Sequence, residues 1–236
     1  MASNKPQPAE IGNPEYVVAR QPVYVFIPSR HAMVLHQYPT ERLVLRAMTI
    51  TMDMDMNVDV DLSFLYRLRS KPTVMQGLTG RNEGTHAKMD AVPYLPSLVV
   101  PHGFDRRSRY FYYIINKLGP SQSAVPVKIG FIGVKTLSQV PEVEFAIDPK
   151  FWDKGYAVEA LQCFTKAWFG LPRYQQAQVD ETAGRPERLF AVTTSLDDKC
   201  QHVLERAGFR QYYRVNRQGE GFDWVCLCLE RKDVQA

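Results

Sequence analysis

The chain has 236 residues, 45% hydrophobic and 23% charged, with a formal net charge of +4. This is the mix of an ordinary globular protein with enough length for a sizeable core. The charge is too small to argue for nucleic acid, no apolar stretch is long enough to span a bilayer, and the four cysteines form no CxxC pair that would point to zinc or thioredoxin-type chemistry.

In chain order, residues 1–20 are polar, contain Pro6, Pro8 and Pro14, and lack the apolar core of a signal peptide. A disordered or loosely attached segment is expected there, followed by a single domain over 21–236. Residues 22–27 form a short strand-like run, and 42–46 (RLVLR) alternate apolar and basic as a half-buried strand does. Residues 51–62 (TMDMDMNVDVDL) also alternate, which as a strand puts Asp53, Asp55, Asn57, Asp59 and Asp61 on one face. A calcium loop opens with this spacing, but Val58 stands where the loop needs Gly and Phe64 where it needs a bidentate Glu. A solvated acidic edge or loop is expected instead. Residues 65–68 with Val74 and Met75 read as helix broken at Pro72, and 76–91 as a polar loop.

Residues 109–118 (RYFYYIINKL) are aromatic and β-branched, the composition of a strand. Strands at 127–135 (VKIGFIGVK) and 141–147 follow, joined by a short connection at 136–139. Residues 156–169 switch to helical periodicity, with Val158, Leu161, Thr165 and Trp168 on one stripe and Phe164 beside it. Gly170, Leu171 and Pro172 stop that helix. A strand at 188–193, a helix at 196–207 capped by Gly208, and strands at 211–215 and 224–229 complete the order. The pattern predicts one α+β (α/β mixed sheet) domain without internal repeats. Cys163, Cys200, Cys226 and Cys228 read as buried reduced thiols of an intracellular, cytoplasmic protein. The histidines at 31, 36, 86, 102 and 202 have no metal-ligand spacing, so no metal is expected, and His202 reads as solvated.

The segment 141–160 (PEVEFAIDPKFWDKGYAVEA) carries the chemistry. A strand ends at Asp148-Pro149, a short loop runs to Gly155, and a helix begins. The first turn of a helix offers unpaired backbone N–H groups and partial positive charge, which suits a phosphate. Gly155 allows close backbone approach and Lys154 adds a mobile cation. On spacing alone, a simple turn glycine explains Gly155 equally well.

Family resemblance separates these readings. Residues 40–46 (TERLVLR) resemble the opening strand of RimJ/RimL-type GNAT acetyltransferases, and Ile129-Gly130-Phe131-Ile132-Gly133 resembles their central hairpin. Glu142-Val143-Glu144-Phe145 with residues 151–160 (FWDKGYAVEA) resembles their acetyl-CoA strand, loop and helix, and 203–209 (VLERAGF) their final helix and turn. The four motifs occur in the family's order over roughly residues 40–229, and the overall look is similar to fungal members of unknown substrate. The resemblance implies a splayed GNAT sheet flanked by helices. It implies acetyl-CoA paired along the backbone of Phe145, Ala146 and Ile147, with its pyrophosphate on the N–H groups of Asp153, Lys154, Gly155, Tyr156 and Ala157. It also implies an amine acceptor attacking the thioester directly, in a monomer or homodimer. Glu142 matches the family's acidic position and Glu144 replaces a usual Gly; both are candidate bases, directly or through water. The plain alternative for either is a strand carboxylate paired with Lys or Arg. His86, in the polar loop, is a candidate border of the acceptor site.

Three further residues depart from the family pattern. Asp153 replaces a usual Gly and sets a carboxylate beside the expected pyrophosphate, a surface repulsion of about 1 kcal/mol unless it caps the helix instead. Asp197 replaces an Asn that contacts the cofactor, and an ionised carboxylate only accepts hydrogen bonds. Cys200 replaces a Ser near the thioester sulfur and is a candidate weak donor. Two functions are therefore expected from the sequence: an acetyl-CoA-dependent N-acetyltransferase acting on a small amine or a peptide N-terminus, or a degenerate GNAT-fold binding module without catalysis.

Overall fold

The strand Phe111–Lys117 (β4) buries each of its first six side chains. A strand hidden on both faces requires cover on both sides of its sheet. Phe111, Tyr113 and Ile115 enter one core and Tyr112 and Ile114 the other, as the two-residue repeat of a strand dictates. The computed structural model describes residues 23–25, 37–48, 60–79, 111–121, 124–136, 141–175, 186–216 and 219–234. Expectations for residues 1–20, the acidic run at 51–59, the loop from 80 to 91 with its His86, and the connection at 137–139 lie outside the described residues.

The strands before β4 are Val23–Val25 (β1), Gln37–Pro39 (β2) and Leu43–Ala47 (β3). Those after it are Val127–Thr136 (β5), Glu142–Ile147 (β6), Arg173–Gln175 (β7), Arg188–Thr194 (β8), Arg210–Asn216 (β9) and Asp223–Glu230 (β10). β1 and β7 pair as a separate ribbon, and the other eight form one sheet in the order β2-β3-β4-β5-β6-β8-β10-β9. Every neighbouring pair in that sheet is antiparallel except β6 and β8, which run parallel. This is the mixed sheet the sequence order predicts.

Val60–Arg69 (α1) and Pro72–Thr79 (α2) cover one face of the sheet, and Tyr156–Gly170 (α3) and Asp198–Arg206 (α4) the other. Pro72 opens α2, where its missing N–H is not needed. α3 buries Tyr156, Ala160, Leu161, Phe164, Thr165, Trp168 and Phe169 at helical spacing. Phe111 meets Phe164 and Trp168 at 5.3 and 5.6 Å between ring centroids. Each such aromatic pair adds about 0.5–1.5 kcal/mol beyond area burial.

β5 carries a close approach that only glycine allows. A Cβ on Gly133 would lie 2.3 Å from the Tyr112 ring. That ring stacks on Phe131 at 6.4 Å, and its hydroxyl donates to Glu144 at 3.1 Å, so it has little room to retreat. Gly133→Ala should lower stability by about 2 kcal/mol through overpacking. A urea midpoint equal to that of the wild type would show that the ring yields.

Several expectations need correction. The alternation at 51–62 does not continue as a strand: Val60, Asp61 and Leu62 begin α1. Asp61 is not on a solvated acidic face. It is 1% exposed and accepts from Arg46 at 2.9 and 2.7 Å and from Lys128. The polar loop expected from 76 is still helix through Thr79. Val158 lies outside the buried stripe of α3 and instead lines a cavity. The four cysteines form no disulfide, as expected, but of the four only Cys226 is buried, while Cys163, Cys200 and Cys228 are half-buried. The two short strands β2 and β7 give no alternation long enough to notice.

Candidate functional site

β6 and β8 are paired at a single position, Glu142 with Phe190, where the Phe190 N–H donates to the Pro141 carbonyl at 2.9 Å. Past that point the two parallel strands part. On its other side β6 stays paired to β5 as far as Ile147. The backbone edge of Phe145, Ala146 and Ile147 therefore faces a wedge between the strands. A cavity of about 690 Å³ fills the wedge, bounded by β6, the loop after it, the first turn of α3, the end of β8, the length of α4, and α2.

The loop after β6 is tied down from both ends. Asp148 accepts from the Lys150 N–H at 3.1 Å and from Lys71 at 2.6 Å, and Trp152 Nε1 donates to the Ile147 carbonyl at 2.6 Å. Burial alone would raise the Asp148 carboxyl, but the Lys71 and Lys150 bonds outweigh it and hold it below its ordinary value. Asp153 has φ 59° and Gly155 φ 77°, both left-handed, and α3 starts at Tyr156. Gly155 brings no side chain to cap the helix, so the first N–H groups of α3 have no intrahelical partner.

A second set of bonds fixes that turn from outside. Arg42 Nη1 donates to the Lys154 carbonyl at 3.0 Å, and Arg42 Nε donates to Glu159 at 2.7 Å. Glu159 also accepts from the Thr40 hydroxyl at 2.5 Å and the Arg42 N–H at 2.9 Å. The guanidinium lies 4.8 Å over the Tyr156 ring. Burial pulls Glu159 upward, but the bonds from Thr40 and Arg42 outweigh it and hold the carboxyl below its ordinary value. The resemblance marks 40–46 as an opening strand; its bracing of the helix start, 112 residues away for the Lys154 contact, is not a local signal.

The expected site residues fall into two groups. Phe145, Ala146, Ile147, Asp153, Gly155, Tyr156, Ala157, Asp197 and Cys200 all line the cavity. Lys154, Glu142 and Glu144 do not. Lys154 folds back to donate to the Lys150 carbonyl at 3.1 Å and lies 5.6 Å over the Phe151 ring. Lys199 lines the cavity in its place. Asp153 does not cap α3; it pairs with Lys199 at 2.8 Å. Asp197 is the N-cap of α4, accepting from the Cys200 N–H at 2.9 Å. His202 is exposed, as expected, but lines the mouth of the cavity.

Glu142 and Glu144 share one face of β6, that of Ala146, towards α1 and α2. Glu144 pairs with Arg69 at 2.8 Å and holds the Tyr112 hydroxyl. Burial, then the charge of Glu144, pushes that phenol well above its ordinary value. Glu142 stands at the closed end of the wedge, half-buried, beside Phe190 in register.

Burial, then the charge of Asp197, pushes the Cys200 thiol up to about 12. At pH 8 such a thiol is thiolate in only about one part in ten thousand, so it hardly acts as a nucleophile. Native protein treated with iodoacetamide at pH 8 should leave Cys200 unmodified by peptide mass, while guanidinium-unfolded protein should carry the label there. Rapid native labelling would contradict the burial argument.

Known proteins share this fold. Residues 42–210 match the profile of the acetyltransferase (GNAT) domain. Among solved structures, a GNAT-family acetyltransferase from Bacillus anthracis is 17% identical, with TM-score 0.54 over 84% of this chain and 99% of that one. Spermidine N-acetyltransferase from Vibrio cholerae, in complex with CoA and spermine, is 13% identical, with TM-score 0.54 over 83% and 99%. A domain from Methanocaldococcus jannaschii is 16% identical, with TM-score 0.54 over 80% and 98%. At these identities the solved structures speak for the fold alone. A search of curated proteins finds no significant match. No cluster of metal-ligating side chains occurs among the described residues, and none of their helices is long and apolar enough to cross a membrane. The splayed sheet, the loop at the start of α3 and a profile spanning well over half of the residues place the chain in the GNAT acetyltransferase family.

Proposed function

We propose that this protein transfers the acetyl group of acetyl-CoA to a primary amine on a small molecule or a peptide N-terminus, in line with the RimJ/RimL-like motifs. The observation that carries the reading is the wedge between β6 and β8, open along the backbone of Phe145–Ile147 and ending at the uncapped start of α3. Pantetheine extends along that edge as an added strand, and the pyrophosphate meets the N–H groups from Asp153 to Ala157. The neutral amine attacks the thioester carbonyl carbon, the C–S bond breaks, and the amine's surplus proton and the thiolate's missing one are exchanged through side chains or water. Glu142, at the closed end of the wedge, is the first candidate base. Glu144, already occupied by Arg69 and Tyr112, is the second. Cys200, a thiol kept protonated that lines the cavity, is a candidate weak hydrogen-bond donor to the leaving sulfur.

Acetyl-CoA at 100 times its dissociation constant should add about 2.7 kcal/mol of stability, read as a rise in melting temperature. Amines should then release CoA thiol; polyamines belong in the panel because the Vibrio neighbour holds spermine. Glu142→Gln should lower kcat by about 100-fold, within the range of a lost general base, and leave acetyl-CoA binding intact. A catalytically silent binding module is the second reading, favoured by the Asp153 carboxylate at the phosphate end of the site. Binding of acetyl-CoA without thiol release to any amine would decide for it. No binding at millimolar acetyl-CoA would sink both.

A further inference from the structure

The phosphate end of the wedge holds an ion pair that spans it. Asp153, in the loop before α3, and Lys199, in the first turn of α4, both line the cavity. Lys199 Nζ reaches the two Asp153 carboxylate oxygens at 3.1 and 2.8 Å and sits 5.6 Å over the Trp152 ring. The side chains are 64% and 73% exposed, so the pair does little for the fold. Asp153 adopts φ 59°, a left-handed backbone state that glycine takes freely and that Asp and Asn tolerate better than other side chains. An anion is thus fixed beside the uncapped N–H groups of α3, where the diphosphate is expected, and a cation from the opposite wall is fixed on that anion.

Resting on the acetyl-CoA reading above, we propose that Lys199 is a diphosphate-binding residue of this site and that Asp153 holds its place in the empty state. When the cofactor enters, the Lys199 ammonium leaves the Asp153 carboxylate and takes a diphosphate oxygen. No covalent bond changes, and one charge-assisted contact replaces another. The cation arrives already in the cleft, so little side-chain ordering remains to be done on binding. Asp153 in turn competes with the cofactor for Lys199 and repels it directly, which keeps affinity below what the cleft could reach.

A static pair makes a different prediction, and a double-mutant cycle separates the two. CoA affinity is measured by calorimetry on the full chain, with Lys199→Gln, Asp153→Asn and the double variant; Asn tolerates the left-handed backbone. Partner exchange predicts that Lys199→Gln weakens CoA about ten-fold and that Asp153→Asn tightens it several-fold. It also predicts that the loss from Lys199→Gln is larger in the Asp153→Asn background, where the cation has no internal competitor. If Lys199 only neutralises Asp153, its removal costs nothing once Asp153 is gone, and that result overturns the proposal. The Lys199→Gln loss should persist with 3′-dephospho-CoA; if it disappears, the diphosphate assignment is wrong. Melting temperatures without ligand should hardly move, since both side chains are exposed. Failure of the wild-type chain to bind CoA at all would refute the acetyl-CoA reading itself, a result distinct from either outcome of the cycle.

Discussion

Arg69→Met should cost about 3–5 kcal/mol and lower the melting temperature by roughly 6 to 20 °C. Arg69 stands at the C-terminal end of α1, and its side chain is 7% exposed against 14% for its partner Glu144. The guanidinium lies 5.2 Å over the Phe131 ring, and its Nε has no acceptor among the described residues. Removing it strands the Glu144 carboxylate in a nearly dry layer, with the Tyr112 hydroxyl as its remaining hydrogen-bond partner among the described residues. That uncompensated charge, more than the lost attraction, sets the size of the effect. Arg69→Met combined with Glu144→Gln should recover more than half of the loss, because the amide still accepts from Tyr112. A double variant as unstable as the single one would mean that packing around Phe131 governs the loss.

The architecture is legible in the sequence because its long elements repeat. β4 is aromatic and β-branched from Phe111 to Ile115, and α3 carries its apolar residues at helical spacing up to the Gly170-Leu171-Pro172 stop. Where pattern and partner disagree, the local reading fails. Asp61 belongs to a run that alternates like a strand, yet it is buried in the first turn of α1 by Arg46 and Lys128, 15 and 67 residues away. The same limit applies within the site. The loop and the backbone edge are contiguous in sequence and were readable. The side chains that load it are not: Glu144 meets Arg69 across 75 residues, and Asp153 meets Lys199 across 46. A local reading picks Lys154 as the cation because it adjoins Gly155. The chain direction at the left-handed turn sends Lys154 back onto the loop and leaves Lys199 facing the cleft.

Glu159→Ala should cost about 3 kcal/mol and weaken acetyl-CoA about ten-fold, with little change in kcat. The carboxylate sits in the first turn of α3, where its charge suits the helix start, and it gathers the Thr40 hydroxyl, the Arg42 N–H and the Arg42 guanidinium at one point. Hydrogen bonds to a charged group contribute about 1.5–3 kcal/mol each in good geometry. The guanidinium arm is discounted because the Arg42 side chain is 45% exposed. Loss of the carboxylate frees Arg42, and with it the bond that turns the Lys154 carbonyl outward. The N–H groups expected to meet the pyrophosphate then lose their fixed direction, which raises KM for acetyl-CoA while the reacting end of the cleft is untouched. Titration separates this role from simple packing. The folded Glu159 carboxyl lies below its ordinary value, so its contribution is complete above the unfolded value of about 4.3 and fades as pH falls through the folded one. The stability gap between wild type and Glu159→Gln should be widest above pH 5 and shrink in acid. Asp148 titrates in the same direction but is common to both proteins and cancels in the difference. A gap independent of pH would assign Glu159 to packing alone, and an unchanged KM would leave the start of α3 without need of its outer brace.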